Sequence, residues 1–353
     1  MKDSMKKFVL RTLIAVLPIL LFIALYAFVD PFHIVSPITR DANGRDSVMV
    51  GNNAGFASVE TYLLNDNKYH YDSFILGSSM SQNFKASYWK PYLDSTASIL
   101  HFDASSETLS GIINKMRFLN KHSTTIKNAL IVIETEMLGR QPVDDDILFI
   151  QHPATLGERN WFKFHLLHLN AFRDITQVKY ALFPERYKAE MHQKKMITNI
   201  APNRIAHLNE MFYGEIDSII SVCPDKYFTP KLLAERKHVI LPSATQYSID
   251  EQVELQLKQI KSILDSNNTN YIIIIPPCNN RPQLSYRDLW VMKSIFGEDK
   301  VHNFSNHSDF VFNERVYYDN LGHLISAKCK ILLDSAYYEQ HHHPIVNPYF
   351  KLH

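Results

Sequence analysis

Short apolar runs alternate with longer amphipathic stretches through much of the chain. Four runs rich in β-branched or aromatic residues are short enough to predict buried strands, at residues 71–76, 98–102, 129–133 and 271–275. Residues 106–120 and 252–264 carry apolar side chains at helical spacing, and residues 325–338 are predicted as a last helix. Continuously apolar strands that alternate with such helices indicate an α/β domain with a parallel sheet covered on both faces.

The alternation stops between about residues 140 and 250, where His, Tyr, Phe, Lys and Arg are frequent and no strong strand pattern is present. We predict a mostly helical insertion there, placed as a cap over a site. Residues 31–68 include Pro31, Pro37 and an Asn43-Gly44 pair, which predicts an irregular connector. The main domain is then expected to cover residues 69–345, and residues 346–353 form a C-terminal tail.

Residues 12–29 contain no charged side chain in 18 positions. As a helix this run is about 27 Å long, which with its flanks crosses a hydrocarbon core of about 30 Å. Lys6, Lys7 and Arg11 precede it, so residues 1–30 are predicted as a cytoplasmic stub and transmembrane anchor, with the rest periplasmic or extracellular. A cleavable signal peptide is the alternative. The length of the run and the poor cleavage site after it favour an uncleaved, single-pass anchor in the cytoplasmic membrane.

Composition excludes some classes of function. Lys and Arg total 37 and Asp and Glu total 36, a balance that argues against nucleic acid as the main partner. The three cysteines form no CxxC pair, so neither a zinc site nor a disulfide framework is indicated. We expect no cofactor and no metal. Apolar residues make up 46% of the chain, enough for a large buried core.

Two polar segments have residue types that fit serine hydrolysis. Gly77-Ser78-Ser79 follows the first predicted strand, and Asp319 and His323 precede the last predicted helix. In parallel sheets, ligands bind beyond the carboxyl ends of the strands. A serine hydroxyl needs a base, and a histidine base needs an orienting group, so Ser79, His323 and Asp319 are the candidate catalytic residues. The alternative is a loop whose Ser79 caps the next helix and an exposed His323.

These motifs resemble those of the SGNH, or GDSL-like, hydrolase superfamily. The similarity is greatest to its membrane-anchored branch that partners membrane-bound O-acyltransferases, including proteins of teichoic-acid D-alanylation and alginate O-acetylation. It covers roughly residues 70–135 and 250–338. The resemblance implies a three-layer, flavodoxin-like parallel-sheet fold, with Ser79 as nucleophile and its own backbone N–H as one oxyanion donor. It also implies His323 as base and Asp319 as the group that orients it.

The chain departs from the family pattern at three points. Asn320 stands where the family has Asp three residues before the histidine, so the orienting group is Asp319 or Asn320. The glycine of the second motif has no clear counterpart, and Glu134 stands in the region of the third motif in place of Gly-x-Asn-Asp. Gly77, Ser78 and Ser105 remain as oxyanion or orienting candidates.

The resemblance implies a membrane-anchored, extracytoplasmic serine esterase or O-acyltransferase. Its substrates would be O-acyl groups of a cell-envelope glycan or polymer, and its partner a polytopic membrane-bound O-acyltransferase. The alternative is a catalytically inactive scaffold or glycan-binding partner of such an acyltransferase, which the missing motifs also fit. A lipase-like esterase that acts alone is a third reading.

Overall fold

The structure is a computed structural model of the 353-residue chain. It describes residues 2–40, 46–48, 53–156, 160–193, 203–236, 249–278, 282–307, 310, 313–319 and 322–342. The strands are β1 Ile38–Arg40, β2 Asp46–Val48, β3 Ser73–Gly77, β4 Ile99–His101, β5 Asn128–Val132, β6 Asn203–Ile205, β7 Glu210–Phe212, β8 Asn270–Ile275 and β9 Val301–Asn303.

Fourteen α-helices are present among the described residues. They are α1 Lys2–Val29, α2 Ala54–Tyr69, α3 Ala86–Trp89, α4 Leu109–Lys121, α5 Pro153–Leu156, α6 Asn160–Phe172, α7 Ile175–Leu182, α8 Pro184–Gln193, α9 Gly214–Val222, α10 Pro224–Tyr227, α11 Pro230–Arg236, α12 Glu251–Ser266, α13 Tyr286–Phe296 and α14 Ser326–His342. The strands and helices predicted from the apolar pattern correspond to β3, β4, β5, β8, α4, α12 and α14.

The central sheet has the order β4-β3-β5-β8-β9, and every neighbouring pair in it is parallel. Successive side chains of a strand point to opposite faces, and both faces are buried here. Phe74 and Leu76 join one apolar cluster with residues of α2, α4, α12 and α13, whereas Ile75 joins another with residues of α3 and α14. The predicted α/β domain with a parallel sheet is confirmed.

The predicted connector at residues 31–68 is wrong over much of its length, because residues 54–69 form α2. The Asn53 side chain caps this helix by accepting a hydrogen bond from the Phe56 N–H at 2.8 Å. Val59 and Tyr62 are buried in the sheet's first cluster. Polar and glycine residues between these apolar positions hide the helical period, and packing against the sheet stabilises the helix.

The insertion at residues 140–250 is mostly helical in its described part, where it contains α5 to α11. It also contains an antiparallel hairpin, β6–β7, that the sequence pattern did not indicate. The hairpin turn touches the edge strand of the main sheet, where the His101 N–H donates to the Leu208 carbonyl at 2.9 Å. The insertion is therefore built onto the β4 edge.

The N-terminal helix α1 is long and apolar enough, from Met5 to Val29, to cross a membrane, and no other helix among the described residues is. Most of its side chains are exposed. The last turns of α1, in contrast, pack against the insertion. We call the buried residues there the junction cluster: Tyr26, Phe32, Ile34, Phe56, Ile150, Phe164 and Phe172.

Candidate active site

The nucleophile segment is a sharp turn at the carboxyl end of β3. Gly77 has a φ of +152°, and Ser79–Ser81 then form one turn of 3-10 helix. A Cβ atom at position 77 would lie 2.7 Å from the Val132 carbonyl oxygen and 3.0 Å from the Ser81 Cβ. Only glycine fits this backbone conformation and this close approach of β5.

Ser78 and Ser79 have different roles in this turn. The buried Ser78 hydroxyl accepts a hydrogen bond from the Met80 N–H at 3.2 Å, so Ser78 is the residue that caps the short helix. The Ser81 hydroxyl donates to the Ser78 carbonyl at 2.7 Å and fixes the same turn. Ser79 is half-buried and its hydroxyl points toward the segment that follows β9. Ser78 is therefore a structural residue, and the reading of Ser79 as a helix cap does not fit.

Ser79, His323 and Asp319 form one continuous chain of hydrogen bonds. The Ser79 Oγ lies 2.8 Å from His323 Nε2, and His323 Nδ1 lies 2.7 Å from Asp319 Oδ2. One neutral tautomer satisfies both contacts: Nδ1–H donates to the carboxylate, and Nε2 accepts from the serine hydroxyl. This is the arrangement in which a histidine can remove the serine proton.

The Asp319 carboxylate is fixed by a second contact. Its Oδ1 accepts a hydrogen bond from the His323 backbone N–H at 3.2 Å, so the carboxylate holds both the ring and the backbone of the histidine. The Asp319 side chain is 42% exposed, the His323 side chain is 18% exposed and Ser79 is half-buried, so exposure is greatest at the aspartate end of the three residues. Asn320, the other orienting candidate, lies outside the described residues.

A buried arginine of the insertion holds the segment that carries Asp319. The Arg236 guanidinium, 2% exposed, donates to the backbone carbonyls of Glu314 at 2.7 Å, Tyr317 at 2.8 Å and Tyr318 at 2.7 Å. The Tyr227 hydroxyl donates to the Tyr318 carbonyl at 2.5 Å. The insertion therefore packs against the segment that carries Asp319 and His323 and fixes its backbone. We call this segment the acid–base segment.

A residue that follows the Ser79 turn contacts the acid–base segment from the other side. Asn83 Nδ2 donates to the Leu324 carbonyl at 2.8 Å, directly after His323. Tyr318 is fixed through its phenol, which donates to the Asp217 carboxylate. Burial, reinforced by that hydrogen bond, raises the pKa of Tyr318 and keeps the phenol neutral. Sequence reasoning missed Arg236 and Asn83, since neither belongs to a local motif.

Ser105 is not brought together with the other candidates. It lies in the turn after β4 and lines a small cavity with Glu107, Thr108 and Lys115. Among the described residues it makes no hydrogen bond to Ser79, His323 or Asp319. The nearby Asp103 carboxylate instead links β4 to the nucleophile segment by accepting a hydrogen bond from Gln82 Nε2 at 2.8 Å.

An ionic network occupies the carboxyl ends of β4 and β5. Buried Glu134 pairs with Arg140 at 2.6 Å, and Arg140 also donates to the Glu107 carbonyl at 2.9 Å. Lys115 pairs with the Glu107 carboxylate at 2.8 Å. Each of these buried charges has an opposite charge beside it, as burial requires. The network holds the two loops together in the region where the family resemblance implies oxyanion donors.

The backbone N–H of Ser79 is the oxyanion donor that the family resemblance implies. No hydrogen bond within the described part of the chain uses the Ser79 N–H, whereas the next amide, Met80 N–H, is engaged by Ser78. An amide at the start of a helical turn is suited to a developing negative charge. No group of three or more His, Cys, Asp or Glu side chains is placed to hold a metal ion in the described residues.

Searches with the sequence found no matching protein-family model and no significantly similar curated protein.

Proposed function

We propose that this protein is a membrane-anchored, extracytoplasmic serine esterase or O-acyltransferase. The observation that carries the proposal is the hydrogen-bonded chain from Asp319 through His323 to Ser79, with contacts of 2.7 and 2.8 Å. The substrate class is an O-acyl group on a cell-envelope glycan or polymer. Ser79 is half-buried and therefore not fully enclosed, which is compatible with a polymeric substrate, and the N-terminal helix would hold the site near the envelope.

The proposed reaction has two halves. Ser79 Oγ attacks the acyl carbonyl carbon while His323 Nε2 takes the hydroxyl proton, and the Asp319 carboxylate stabilises the resulting imidazolium. The Ser79 N–H donates to the oxyanion, and the alkoxide leaving group departs with the proton from His323. A water molecule or a glycan hydroxyl then attacks the acyl-serine, with His323 acting first as base and then as acid. Water gives hydrolysis and a hydroxyl gives acyl transfer.

An SGNH-like, three-layer fold is part of the proposal. It is supported by the five-stranded parallel sheet with helices on both faces, by the serine that directly follows β3, and by the Asp319–His323 segment that directly precedes α14. Along the chain Ser79 comes first, and Asp319 and His323 follow together before the last helix. The sequence resemblance implies the same order.

The proposed location and partner follow from α1. Lys6, Lys7 and Arg11 lie at its start, so we place the N-terminus in the cytoplasm and the α/β domain outside, with a single membrane pass. The proposed partner is a polytopic membrane-bound O-acyltransferase, which would supply or receive the acyl group within the membrane.

A catalytically inactive scaffold or glycan-binding partner of such an acyltransferase is the second candidate. It is favoured by the network of Glu134, Arg140 and Glu107 at the place where further oxyanion donors are expected. With one donor instead of several, stabilisation of a tetrahedral intermediate would be weaker by about 2.7–4 kcal/mol per missing donor.

Labelling with a fluorophosphonate separates the two candidates, because the probe reacts only with an activated serine. We expect the full-length protein to be labelled, and the Ser79→Ala variant to lose the label. Ser266→Ala is the matched control, since Ser266 is exposed at the end of α12, and it should be labelled like the unaltered protein. A folded protein that shows no Ser79-dependent labelling and releases no acetate from acetylated oligosaccharides would support the scaffold instead.

A further inference from the structure

Helix α6 of the insertion runs alongside the outer end of α1 in the opposite chain direction. As residue numbers rise along α6, its aromatic contacts move to lower numbers in the preceding segments. The ring centroids are 5.3 Å apart for Phe164–Phe56, 5.4 Å for His168–Phe32, 5.6 Å for Phe172–Tyr26 and 5.5 Å for Phe172–Phe22. The end of α6 at Phe172 therefore lies at the level of Phe22.

The junction between α1 and the domain is short and well fixed, so this level is not adjustable. The Asp30 carboxylate accepts hydrogen bonds from the backbone N–H groups of Ile34 at 3.0 Å, Val35 at 3.1 Å and Ser36 at 2.7 Å. Phe32 and Ile34 are buried in the junction cluster. The domain consequently sits directly on the end of α1 without a flexible spacer.

The position of Phe22 places the end of α6 at membrane depth. Phe22 precedes Val29 by seven residues, about 10 Å along a helix. The candidate membrane span of α1, from Met5 to Val29, has 25 residues and includes the charged Lys6, Lys7 and Arg11 near its start. It is about 37 Å long and exceeds a hydrocarbon core of about 30 Å by only about 7 Å. Even if α1 is raised by that whole excess, Phe172 reaches the boundary between acyl chains and headgroups.

Side chains on α6 to α8 suit that location. Large apolar groups are exposed there: Leu166 at 51%, Leu182 at 49% and Phe183 at 60%. Cationic groups lie on the same helices, with Lys179 Nζ 5.5 Å and the Arg186 guanidinium 5.6 Å from the centre of the Tyr187 ring. Exposed Leu and Phe beside Tyr, Lys and Arg are typical of segments that lie in the membrane–water interface.

We propose that α6, α7 and α8 form an interfacial collar, in contact with the outer headgroup layer of the bilayer that α1 spans. The inference rests on the proposed membrane anchor and goes beyond it, because it assigns the exposed apolar face of the insertion to lipid. Contact with α1 sets the height of this face at the bilayer surface, which is the reason to assign it to lipid rather than to a protein. The collar would fix the height and orientation of the α/β domain above the membrane.

Depth-dependent fluorescence quenching tests the collar in the full-length protein. Single cysteines are introduced by Leu166→Cys, Leu182→Cys, Leu17→Cys and Trp290→Cys in a Cys223→Ser background, since Cys278 and Cys329 are buried. Each is labelled with an environment-sensitive dye and placed in phosphatidylglycerol–phosphatidylethanolamine nanodiscs that carry spin-labelled lipids. Leu17 reports insertion of the anchor, and Trp290, 68% exposed on α13, is the control for water.

We expect dyes at positions 166 and 182 to show blue-shifted emission and quenching by shallow spin labels, while the dye at 17 responds to deep labels and the dye at 290 to neither. Emission at 166 and 182 like that at 290, with the dye at 17 quenched, would overturn the collar but leave the anchor, and assign the face to a protein partner or to solvent. An unquenched dye at 17 would overturn the anchor and the collar together. Circular dichroism and a thermal melt of each variant verify folding without use of Ser79, which keeps this test separate from the catalytic proposal.

Discussion

The carboxylate of Asp319 determines which nitrogen of His323 carries the proton. Asn at this position keeps the size of the side chain but cannot stabilise an imidazolium, and its amide would favour the wrong tautomer. We expect Asp319→Asn to lower kcat for ester hydrolysis by about 10³–10⁴-fold. Since the side chain is 42% exposed, the melting temperature should change little. Initial rates on an acetyl ester and a thermal melt measure both effects.

Asp225→Asn is the matched control for that substitution. Asp225 is also an exposed carboxylate with one partner, Arg315 at 2.7 Å, but it lies on α10 and makes no hydrogen bond to the three site residues in the described structure. Its substitution should leave kcat unchanged. Equal rates for Asp319→Asn and the unaltered protein would assign the orienting role to Asn320 or remove it altogether.

Gly77 combines a positive φ with a close approach of neighbouring backbone. Alanine there requires a strained φ and places its Cβ 2.7 Å from the Val132 oxygen, whereas alanine at Gly139 meets nothing within 4 Å. We expect Gly77→Ala to lower the free energy of unfolding by about 2–4 kcal/mol and to reduce Ser79 labelling. Gly139→Ala should change it by less than about 1 kcal/mol. Urea titrations compare them, and equal midpoints would contradict the expectation.

At the scale of secondary structure, the sequence predicts an element where its pattern is local and uniform. In β8 the run Tyr271 to Ile275 is apolar throughout, and a buried parallel strand is the direct reading. The strand β9 has only three residues, and β6–β7 is no longer, so both are too short for a period to be recognised. Tertiary packing, which a linear pattern does not contain, stabilises these elements and α2.

The residues of the candidate site also differ in whether the sequence alone could predict them. Ser79 could be found because it lies just after a strand of a parallel sheet, where ligands bind, and Asp319 and His323 because they lie shortly before the last helix. Arg236 could not be found from the sequence. Its partners are three backbone carbonyls about 80 positions later in the chain, and since every residue has a backbone carbonyl, the residue types do not identify them. Ser105 was a candidate because it lies in the region of the family's second motif, and in the structure its turn lines a different cavity.

Helix α11 and the acid–base segment are coupled through Arg236. Lysine keeps the charge but cannot serve three carbonyls in the geometry of a guanidinium, so some carbonyls lose their partner. We expect Arg236→Lys to lower kcat about 10-fold or more with KM little changed, because displacement of Asp319 and His323 affects the chemical step. The rate of fluorophosphonate labelling should fall in parallel.

Arg287→Lys is the control for this coupling. Arg287 also donates to a backbone carbonyl, that of Ile249 at 3.0 Å, but it does so on α13. Its substitution should alter neither labelling nor kcat. If Arg236→Lys lowered the melting temperature without changing the labelling rate of the folded protein, Arg236 would be purely structural.

At the scale of the whole molecule, the N-terminal segment is part of the folded domain as well as a candidate anchor. Tyr26, Phe32 and Ile34 are buried against Phe164 and Phe172 of the insertion. The insertion in turn holds the acid–base segment through Arg236. A continuous set of packed residues thus connects the end of α1 to His323, and the position of the cut in a truncated protein should decide whether the domain remains stable.

Two truncations that differ by this segment test the connection. A protein that begins at Leu21 keeps Tyr26, Phe32 and Ile34, whereas one that begins at Asp46 loses all three. Full burial of an apolar side chain contributes about 1.5–3 kcal/mol, so the shorter protein should lose roughly 5 kcal/mol, a large part of a typical domain's stability. We expect a lower urea midpoint, aggregation and weaker Ser79 labelling for the shorter protein only. Equal midpoints and labelling would show that the junction cluster is dispensable and that the domain folds independently of its N-terminal helix.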